Sequence, residues 1–406
     1  MDTCVLHRTP GRAGPTAWAL AGALCLVLAA PGALLAQSSR QEELAKKQAE
    51  KAAQLRPNLR ETGEKIVDFA QEVIDGMKPV YPWVGSIYSG GLFGVGLGLQ
   101  HPVGDTGRAN ALAGISIRNY KLLQGAVKLP ELAHRRVALT THATWIDAPT
   151  VAFYGIGAES QKGDRSTFEY RPATAGLIGT LKVTNWLFVG AGGDYMTVTA
   201  APSGLLAARF PELDDAPLLT DATYAVGRAS ARIDWRQSPG YSRHGGLYRV
   251  DWSQYDDRDG RGQSFQQTEA EIVQLVPLLR ENWVLAFRGL VTTTDVRDGN
   301  VVPIFMLPSL GGGSSLRGYP SWRFRDRHRL LLSGEYRWMA GQLVDMAIFY
   351  DAGKVAAERR DLDLDGLKTD YGIGIRIHGP SFTAVRLELA RGSEGWAINI
   401  GSGTAF

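Results

Sequence analysis

Residues 84–406 alternate in polarity with a period of two. Segments of nine to sixteen residues, in which apolar side chains alternate with small or polar ones, are separated by turn-forming residues. This alternation is typical of β-strands with two different faces. It predicts sixteen strands, whose cores begin at Ile87, Arg108, Lys121, Arg135, Thr150, Ser166, Trp186, Thr220, Gly245, Ser264, Trp283, His328, Leu343, Leu367, Ser381 and Gly395.

The connections between the expected strands alternate in length. Even-numbered strands end in tight turns, at residues 147–149, 184–185, 281–282, 340–341 and 379–380. Odd-numbered strands mostly end in longer polar loops, namely HPVGDTGR, ESQKGDR, SGLLAARFPELDDAPLLT, YDDRDGRG and the segment that carries GGGSSLRGYP. Bacterial outer-membrane barrels have short periplasmic turns and longer extracellular loops. The sequence therefore predicts an all-β, 16-stranded antiparallel transmembrane β-barrel over residues 81–406, with both chain ends of the barrel in the periplasm.

The N-terminal residues have the pattern of a secretory signal. Arg8 and Arg12 precede an uncharged stretch that contains WALAGALCLVLAA and ends in small residues. We expect residues 1–36 to be a signal peptide cleaved after Ala36, with a retained membrane anchor as the alternative. Because Cys4 and Cys25 both lie within this segment, the mature chain is expected to contain no cysteine.

Residues 37–80 differ in composition from the rest and favour helix. They are rich in Ala, Glu, Gln and Lys, and a helix is expected from Asn58, with Glu61 as its capping partner. Its apolar face would consist of Ile66, Ala70, Val73, Ile74 and Met77. Since such a face must pack on something, this helical segment either plugs or braces the barrel, binds a periplasmic partner, or forms a solvated spacer.

Charge and motifs exclude several function classes. The formal net charge of +3 is small and evenly spread, which argues against nucleic-acid binding. The sequence lacks a phosphate-binding loop, a dinucleotide-binding motif, a zinc-protease motif and a G-x-S-x-G motif. DLDLDG resembles the start of a calcium loop, but Gly372 stands where the bidentate glutamate is required. We therefore expect no metal, no cofactor and no enzymatic activity; an outer-membrane lipase would need a nucleophile and base that do not appear.

Four motifs connect the chain with a known family. They are FYGIG at 153–157, SSLRGYP at 314–320, LSGEYRW at 332–338 and FYDAGKV at 349–355. With these motifs, residues 84–406 resemble the barrel domain of the BamA/TamA superfamily, also called the bacterial surface-antigen family. The resemblance implies a location in the bacterial outer membrane. The helical segment is too short for the POTRA modules that usually precede this barrel, so we expect a barrel without them.

The resemblance implies a lock inside the barrel. In the family, the long loop before the twelfth strand folds back into the lumen, and its arginine meets acidic groups on the inner wall. A planar guanidinium can bind carboxylates at two points, which fixes its direction. A solvent-exposed loop with an ordinary surface arginine is the alternative. The lock would consist of Arg317, Gly318, Tyr319, Glu335, Asp351 and Gly353.

Glycines are concentrated in the expected first and last strands. Glycine weakens a strand and leaves its pairing register poorly specified. The seam between these strands is therefore expected to be the weakest ladder of the barrel, as a laterally opening insertase requires. The alternative is that glycine permits tight curvature. The seam glycines are Gly94, Gly96, Gly98, Gly401 and Gly403.

The last strand carries a candidate assembly signal. Asn399, Gly401 and the C-terminal Phe406 match the pattern of polypeptides recognised by the barrel-assembly machinery, whereas Thr404 departs from it. The face expected to contact lipid consists of Trp396, Ile398, Ile400, Ser402, Thr404 and Phe406.

These features together predict an outer-membrane protein that inserts or translocates proteins, or lipids, by opening its barrel. Its expected partners are outer-membrane lipids, the barrel-assembly machinery during biogenesis, and a client polypeptide or periplasmic protein. The alternative is a passive pore that conducts solutes past the loop.

Overall fold

The computed structural model describes residues 46–47, 62–211, 213, 218–278 and 281–406. The predicted signal peptide and the predicted helix start at Asn58 lie outside these residues. The chain divides into two compact units, Met1–Lys65 and Ile66–Phe406, and the barrel lies in the second.

Sixteen antiparallel strands form one sheet, which confirms the predicted fold class. In chain order they are β1 (Val80–Gly85), β2 (Gly94–Val103), β3 (Gly107–Ser116), β4 (Lys121–Glu131), β5 (Val137–Phe153), β6 (Ser166–Lys182), β7 (Leu187–Pro202), β8 (Ala222–Asp234), β9 (Gly245–Asp257), β10 (Phe265–Leu278), β11 (Trp283–Val296), β14 (His328–Met339), β15 (Val344–Ala356), β16 (Lys368–His378), β17 (Thr383–Gly392) and β18 (Gly395–Gly401). Two further strands, β12 (Ser309–Leu310) and β13 (Phe324–Arg325), form a separate hairpin between β11 and β14.

The helices are short. They are α1 (Thr62–Ile74), α2 (Leu132–Arg135) and α3 (Gly204–Arg209), with 3₁₀ turns at Lys162–Asp164 and Arg359–Asp361. In the described part of the chain, no helix is long and apolar enough to cross a membrane.

The carboxyl end of α1 packs at one rim of the barrel. The side chain of Gln100 on β2 donates to the carbonyl oxygens of Val73 and Lys78, at 2.9 and 2.7 Å. Arg108 on β3 donates to the carbonyl oxygen of Asp75 at 3.0 Å. Met77 lies beyond the end of α1 and is 68% exposed, so its predicted place on a packed apolar face is wrong.

Two errors in the predicted strands compensate each other, so that the predicted number of strands in the barrel sheet is still sixteen. No strand begins at Ile87: the expected first strand corresponds to β2, which begins at Gly94, and the preceding strand β1, which ends at Gly85, was not predicted. The six-residue β1 escaped notice because it is short and contains Pro82. Conversely, the strands expected from Arg135 and Thr150 are the single strand β5. Its ladder with β6 shifts register between Ala148 and Val151, so proline at 149 falls in the bulge and removes no regular ladder bond.

The barrel has two distinct ends. One end, here the turn end, carries the chain termini of the barrel and the connections 104–106, 132–136, 183–186, 235–244, 279–282, 340–343 and 379–382. The other, the loop end, carries connections 86–93, 117–120, 154–165, 203–221, 258–264, 297–327, 357–367 and 393–394. HPVGDTGR, predicted to be a long loop, instead contains the turn 104–106 at the turn end, because β1 shifts the strand order by one.

Side chains alternate between the outer surface and the lumen. On β15, Ala347, Phe349 and Asp351 are buried, whereas Ile348 and Tyr350 are 48% and 53% exposed. On β18, the apolar side chains of Trp396, Ile398 and Ile400 point outward, as predicted. The outer surface is therefore an apolar band and the lumen carries the charges, as expected for an outer-membrane barrel.

Candidate functional site

The loop between β11 and β14, residues 297–327, fills part of the lumen. Its apolar side chains Ile304, Leu310 and Leu316 are 0–1% exposed. Gly311 has φ +111°, and a Cβ there would overlap the carbonyl oxygen of Pro320. Glycine at this position therefore lets the loop double back on itself.

Arg317 stands at the inner end of this loop and contacts three carboxylates. Its Nε and Nη2 donate to the two oxygens of Asp351 at 2.7 and 2.8 Å. Its Nη1 donates to Glu388 at 3.0 Å and to Glu335. The guanidinium carbon lies 3.5 Å from the ring centroid of Phe349, so the fork is fixed in direction by carboxylates and by the aromatic face beneath it.

Burial and charge act in opposite directions on Arg317, whose side chain is 2% exposed. Burial alone would lower the pKa of Arg317, but the carboxylates of Glu335, Asp351 and Glu388 hold that pKa well above its usual value. The guanidinium therefore remains charged, and an uncompensated carboxylate would be left behind if it were removed.

The acidic groups are themselves held by arginines of the wall. Glu335 accepts from Arg376 at 2.9 Å and from Arg337 at 2.6 Å, and Arg386 lies 3.2 Å from Glu388. The sequence reasoning missed four members of this network: Arg337, Arg376, Arg386 and Glu388. Their signal was available, because each occupies an inward position in the period-two pattern of β14, β16 or β17. Among the described residues, no group of His, Cys, Asp and Glu is suited to hold a metal ion.

The other proposed lock residues pack closely around Arg317. A Cβ at Gly318 would lie 2.5 Å from the backbone nitrogen of Gly392, and one at Gly353 would lie 2.7 Å from the carbonyl oxygen of Leu330. The hydroxyl of Tyr319 is 2.9 Å from the Oγ of Ser393. Gly318 therefore lets the loop approach β17 more closely than a side chain would permit, and Gly353 does the same for the approach of β15 to β14, with the side chain of Leu310 in the loop 3.0 Å from the position that its Cβ would take.

The loop contacts the edge strand β18 and the connection between β1 and β2. Asn399 on β18 donates from its side chain to the carbonyl oxygen of Arg317 at 2.8 Å. Trp322 in the loop donates from its indole to the carbonyl oxygen of Ser89, between β1 and β2, also at 2.8 Å. Thus Asn399, expected to belong to an assembly signal, points into the lumen and contacts the loop in the folded barrel.

The edges of the sheet, β1 and β18, do not pair with each other in the described chain. The predicted seam glycines Gly94, Gly96 and Gly98 lie on β2, which pairs with both β1 and β3. That placement was wrong because β1 was not recognised as a strand. Gly401 ends β18, and Gly403 lies beyond it with φ +78°.

The C-terminal residues leave the sheet after β18 and turn inward. The ring of Phe406 packs against the buried side chains of Leu275, Val284 and Ala286 on the inner wall. The guanidinium carbon of Arg337 lies 5.0 Å from its centroid. The prediction that Phe406 faces lipid is therefore wrong: with glycine at 403, the chain bends and places the ring in the lumen.

Comparison with known protein families finds a match over the C-terminal part of the barrel. Residues 229–406, which include all the lock residues, match the Omp85 superfamily domain. This is the superfamily expected from the motifs, and its barrels are outer-membrane proteins. No curated protein sequence matches the chain.

Two solved structures show the same fold. BamA from Haemophilus ducreyi lacking POTRA domains 1–3 aligns with a TM-score of 0.57 at 13% identity, over 80% of this chain and 68% of that one. CdiB from Escherichia coli aligns with a TM-score of 0.54 at 13% identity, over 80% of this chain and 62% of that one. At these identities, the similarity shows the fold alone.

Proposed function

We propose that this chain is an Omp85-type barrel, which inserts or translocates polypeptides at the outer membrane by opening laterally between β1 and β18. The observation that carries the proposal is that these two strands form the edges of the sheet and do not pair in the described chain. The proposed insertion or translocation depends on a conformational change of the barrel and involves no covalent chemistry. The family match and the fold shared with BamA and CdiB support the proposal.

An unpaired edge inside a membrane is suited to accept a strand. Each strand edge presents backbone N–H and C=O groups that have no water partner in the hydrocarbon region, where an unsatisfied group costs several kcal/mol. Edges of this kind act as templates for another strand. A client strand that pairs with β1 or β18 would satisfy these groups while it enters the membrane.

The loop would restore the closed state. It contacts Asn399 on one edge and Ser89 beside the other, and Arg317 anchors it to the wall between β14 and β17. The loop thus spans the seam at the loop end of the barrel. We propose that it holds the two edges in place when no client is bound.

A passive pore would need an open lumen. In the described chain, the loop, the arginine–carboxylate network and the ring of Phe406 occupy much of that space. These contacts favour insertion or translocation over unregulated conduction.

The proposal is tested by locking the seam. The mature chain is expected to contain no cysteine, so Val84→Cys with Ile398→Cys places one thiol on each edge strand. The control is Leu389→Cys with Ile398→Cys, which joins two directly paired positions of β17 and β18. Purified protein in proteoliposomes is given a radiolabelled outer-membrane barrel polypeptide, and its protease-protected fraction is measured.

Wild-type protein should raise the protected fraction above that of protein-free liposomes. Oxidation should abolish this activity in the seam variant, and reduction should restore it, whereas the control remains active throughout. Because β1 and β18 do not pair, no fixed register holds the two seam cysteines opposite each other. A smaller fraction of the seam variant than of the control should therefore form the disulfide. Full activity of a seam variant that is completely crosslinked would exclude lateral opening.

A further inference from the structure

The connection between β8 and β9 is unusually long for the turn end. Residues 235–244, WRQSPGYSRH, are called the strap here. Other connections at this end, such as 104–106 and 340–343, only reverse the chain between neighbouring strands. The strap instead extends to strands β15, β16 and β17.

A buried ion pair joins the end of the strap next to β9 to strand β15. Arg243 donates from Nη2 to Asp345 at 2.7 Å, and the hydroxyl of Tyr241 donates to the other oxygen of Asp345 at 2.8 Å. Arg243 is 8% exposed and Asp345 is 3% exposed. The ring of Tyr241 stacks on His378 of β16, with 4.0 Å between the ring centroids.

Backbone contacts hold the middle of the strap to the connection between β16 and β17. Gly240 forms an isolated parallel bridge with Phe382, and Ser238 donates to the carbonyl oxygen of Ser381 at 2.9 Å. A Cβ at Gly240 would overlap that same oxygen. The backbone of the strap therefore lies in direct contact with the backbone of the connection between β16 and β17.

These contacts place the strap across the mouth of the lumen. Three strands, β10, β11 and β14, separate β9 from β15 around the sheet. Asp345 and His378 are inward-facing, since both are buried on strands whose alternate residues face outward. A connection from β9 reaches inward-facing groups on β15 and β16 only by crossing the opening between them.

Two other segments lie over the same opening. The side chain of Ser381 also donates to Gln71 on α1 at 3.0 Å. The C-terminal residues cross from β18 to β10 and β11, where Phe406 packs. The strap is thus the central part of a cover at the turn end.

We propose that the strap closes the lumen to polar solutes from the turn end, and that release of Arg243 from Asp345 opens it. With this cover in place, the barrel could open laterally between β1 and β18 while solutes are kept from passing through its lumen. This inference concerns conduction, so it stands or falls independently of the proposed insertion activity.

The test is single-channel recording of the full chain in planar bilayers with potassium chloride. Arg243→Ala and Asp345→Ala should each raise the open probability about tenfold or more, because each leaves one buried charge without its partner. The matched control is Arg236→Ala. Arg236 lies in the same strap but pairs locally with Asp234 at 3.0 Å, so its removal should leave conduction unchanged.

A charge exchange separates the ion pair from general damage. Arg243→Asp combined with Asp345→Arg restores opposite charges and should recover part of the closure lost in either single variant. Should Asp345→Ala fail to fold, Arg243→Gln carries the test, because it keeps a long polar side chain and removes only the charge. Wild-type conduction in Arg243→Ala and Arg243→Gln, or equal opening by Arg236→Ala, would overturn the proposal.

Discussion

Arg317 and Asp351 form a two-point ion pair inside the barrel, in which Nε and Nη2 of the arginine donate to the two carboxylate oxygens at 2.7 and 2.8 Å. The arginine belongs to the loop and the aspartate to β15, so the pair joins the loop to the wall of the barrel. Two-point binding fixes orientation as well as distance. This contact therefore restrains both the position and the direction of Arg317.

Replacing Arg317 should loosen the loop without unfolding the barrel. Arg317→Ala leaves a buried carboxylate unpaired, which costs on the order of 3 kcal/mol for a desolvated pair. Arg317→Lys should restore the loop only partly, since an ammonium group cannot reproduce the planar fork. Protease cleavage within 298–327 measures the loosening, and heat-dependent electrophoretic mobility reports on the barrel.

The control for this experiment is Arg297→Ala, because Arg297 is an exposed arginine of the same loop. It should give the wild-type cleavage pattern. If Arg317→Ala, Asp351→Ala and the double variant all resist protease as the wild type does, the loop is not held by this pair.

A second buried arginine in the loop should tolerate an apolar replacement. Arg325 donates to the carbonyl oxygen of Ile304 at 2.7 Å and lies 4.6 Å from the ring centroid of Trp322. No carboxylate pairs with it in the described chain, and burial lowers the pKa of Arg325 to about 10. Since apolar side chains of similar volume often replace buried charges at little cost, Arg325→Met should keep the loop protease-resistant. Arg317→Met should not, and equal loosening of both variants would contradict this distinction.

The sequence predicted the strands better than the places where the chain leaves regular geometry. The period-two pattern and the motifs around Arg317, Glu335 and Asp351 depend on local sequence, and the contacts agree with them. Prolines at 82 and 149 misled the strand assignment. Proline usually interrupts a ladder, but here one lies on an edge strand and the other in a bulge.

Long-range contacts could not be predicted. Nothing near Arg243 in the sequence indicates that it pairs with Asp345, and nothing near Phe406 indicates that it packs on Ala286. Such pairs depend on which strands face each other across the lumen. Which strands face each other is set by the way the whole sheet curves around the lumen, and local sequence does not encode this curvature.

Epitope insertion should distinguish the observed topology from the one predicted by the sequence alone. Epitopes after Asp259 or Asp363 lie at the loop end and should be accessible on intact cells. One after Gly379 lies at the turn end and should be accessible only after permeabilisation. The deciding site is Asp105, which the sequence pattern placed in an extracellular loop and the structure places at the turn end. Surface labelling there would contradict the observed order of β1 to β3.

The inward position of Phe406 should be sensitive to the size of the residue beneath it. Ala286 is fully buried under the ring, so Ala286→Leu overfills this part of the lumen, at a cost of about 1–3 kcal/mol. The expected result is that the C-terminal residues are released. To measure this release, Thr404→Cys is introduced into the wild type and into Ala286→Leu. The thiol should react faster with a charged maleimide in the Ala286→Leu protein.

This variant separates the contacts of Phe406 in the folded barrel from its expected role in an assembly signal. The C-terminal sequence remains intact in Ala286→Leu, so a recognition signal in the unfolded chain is unaffected and assembly should proceed at the wild-type yield. Ala222→Leu, which fills a buried inward position on β8 away from the ring, is the matched control. Equal labelling of the thiol introduced at position 404 in all three proteins would show that the C-terminal residues are not held by the wall.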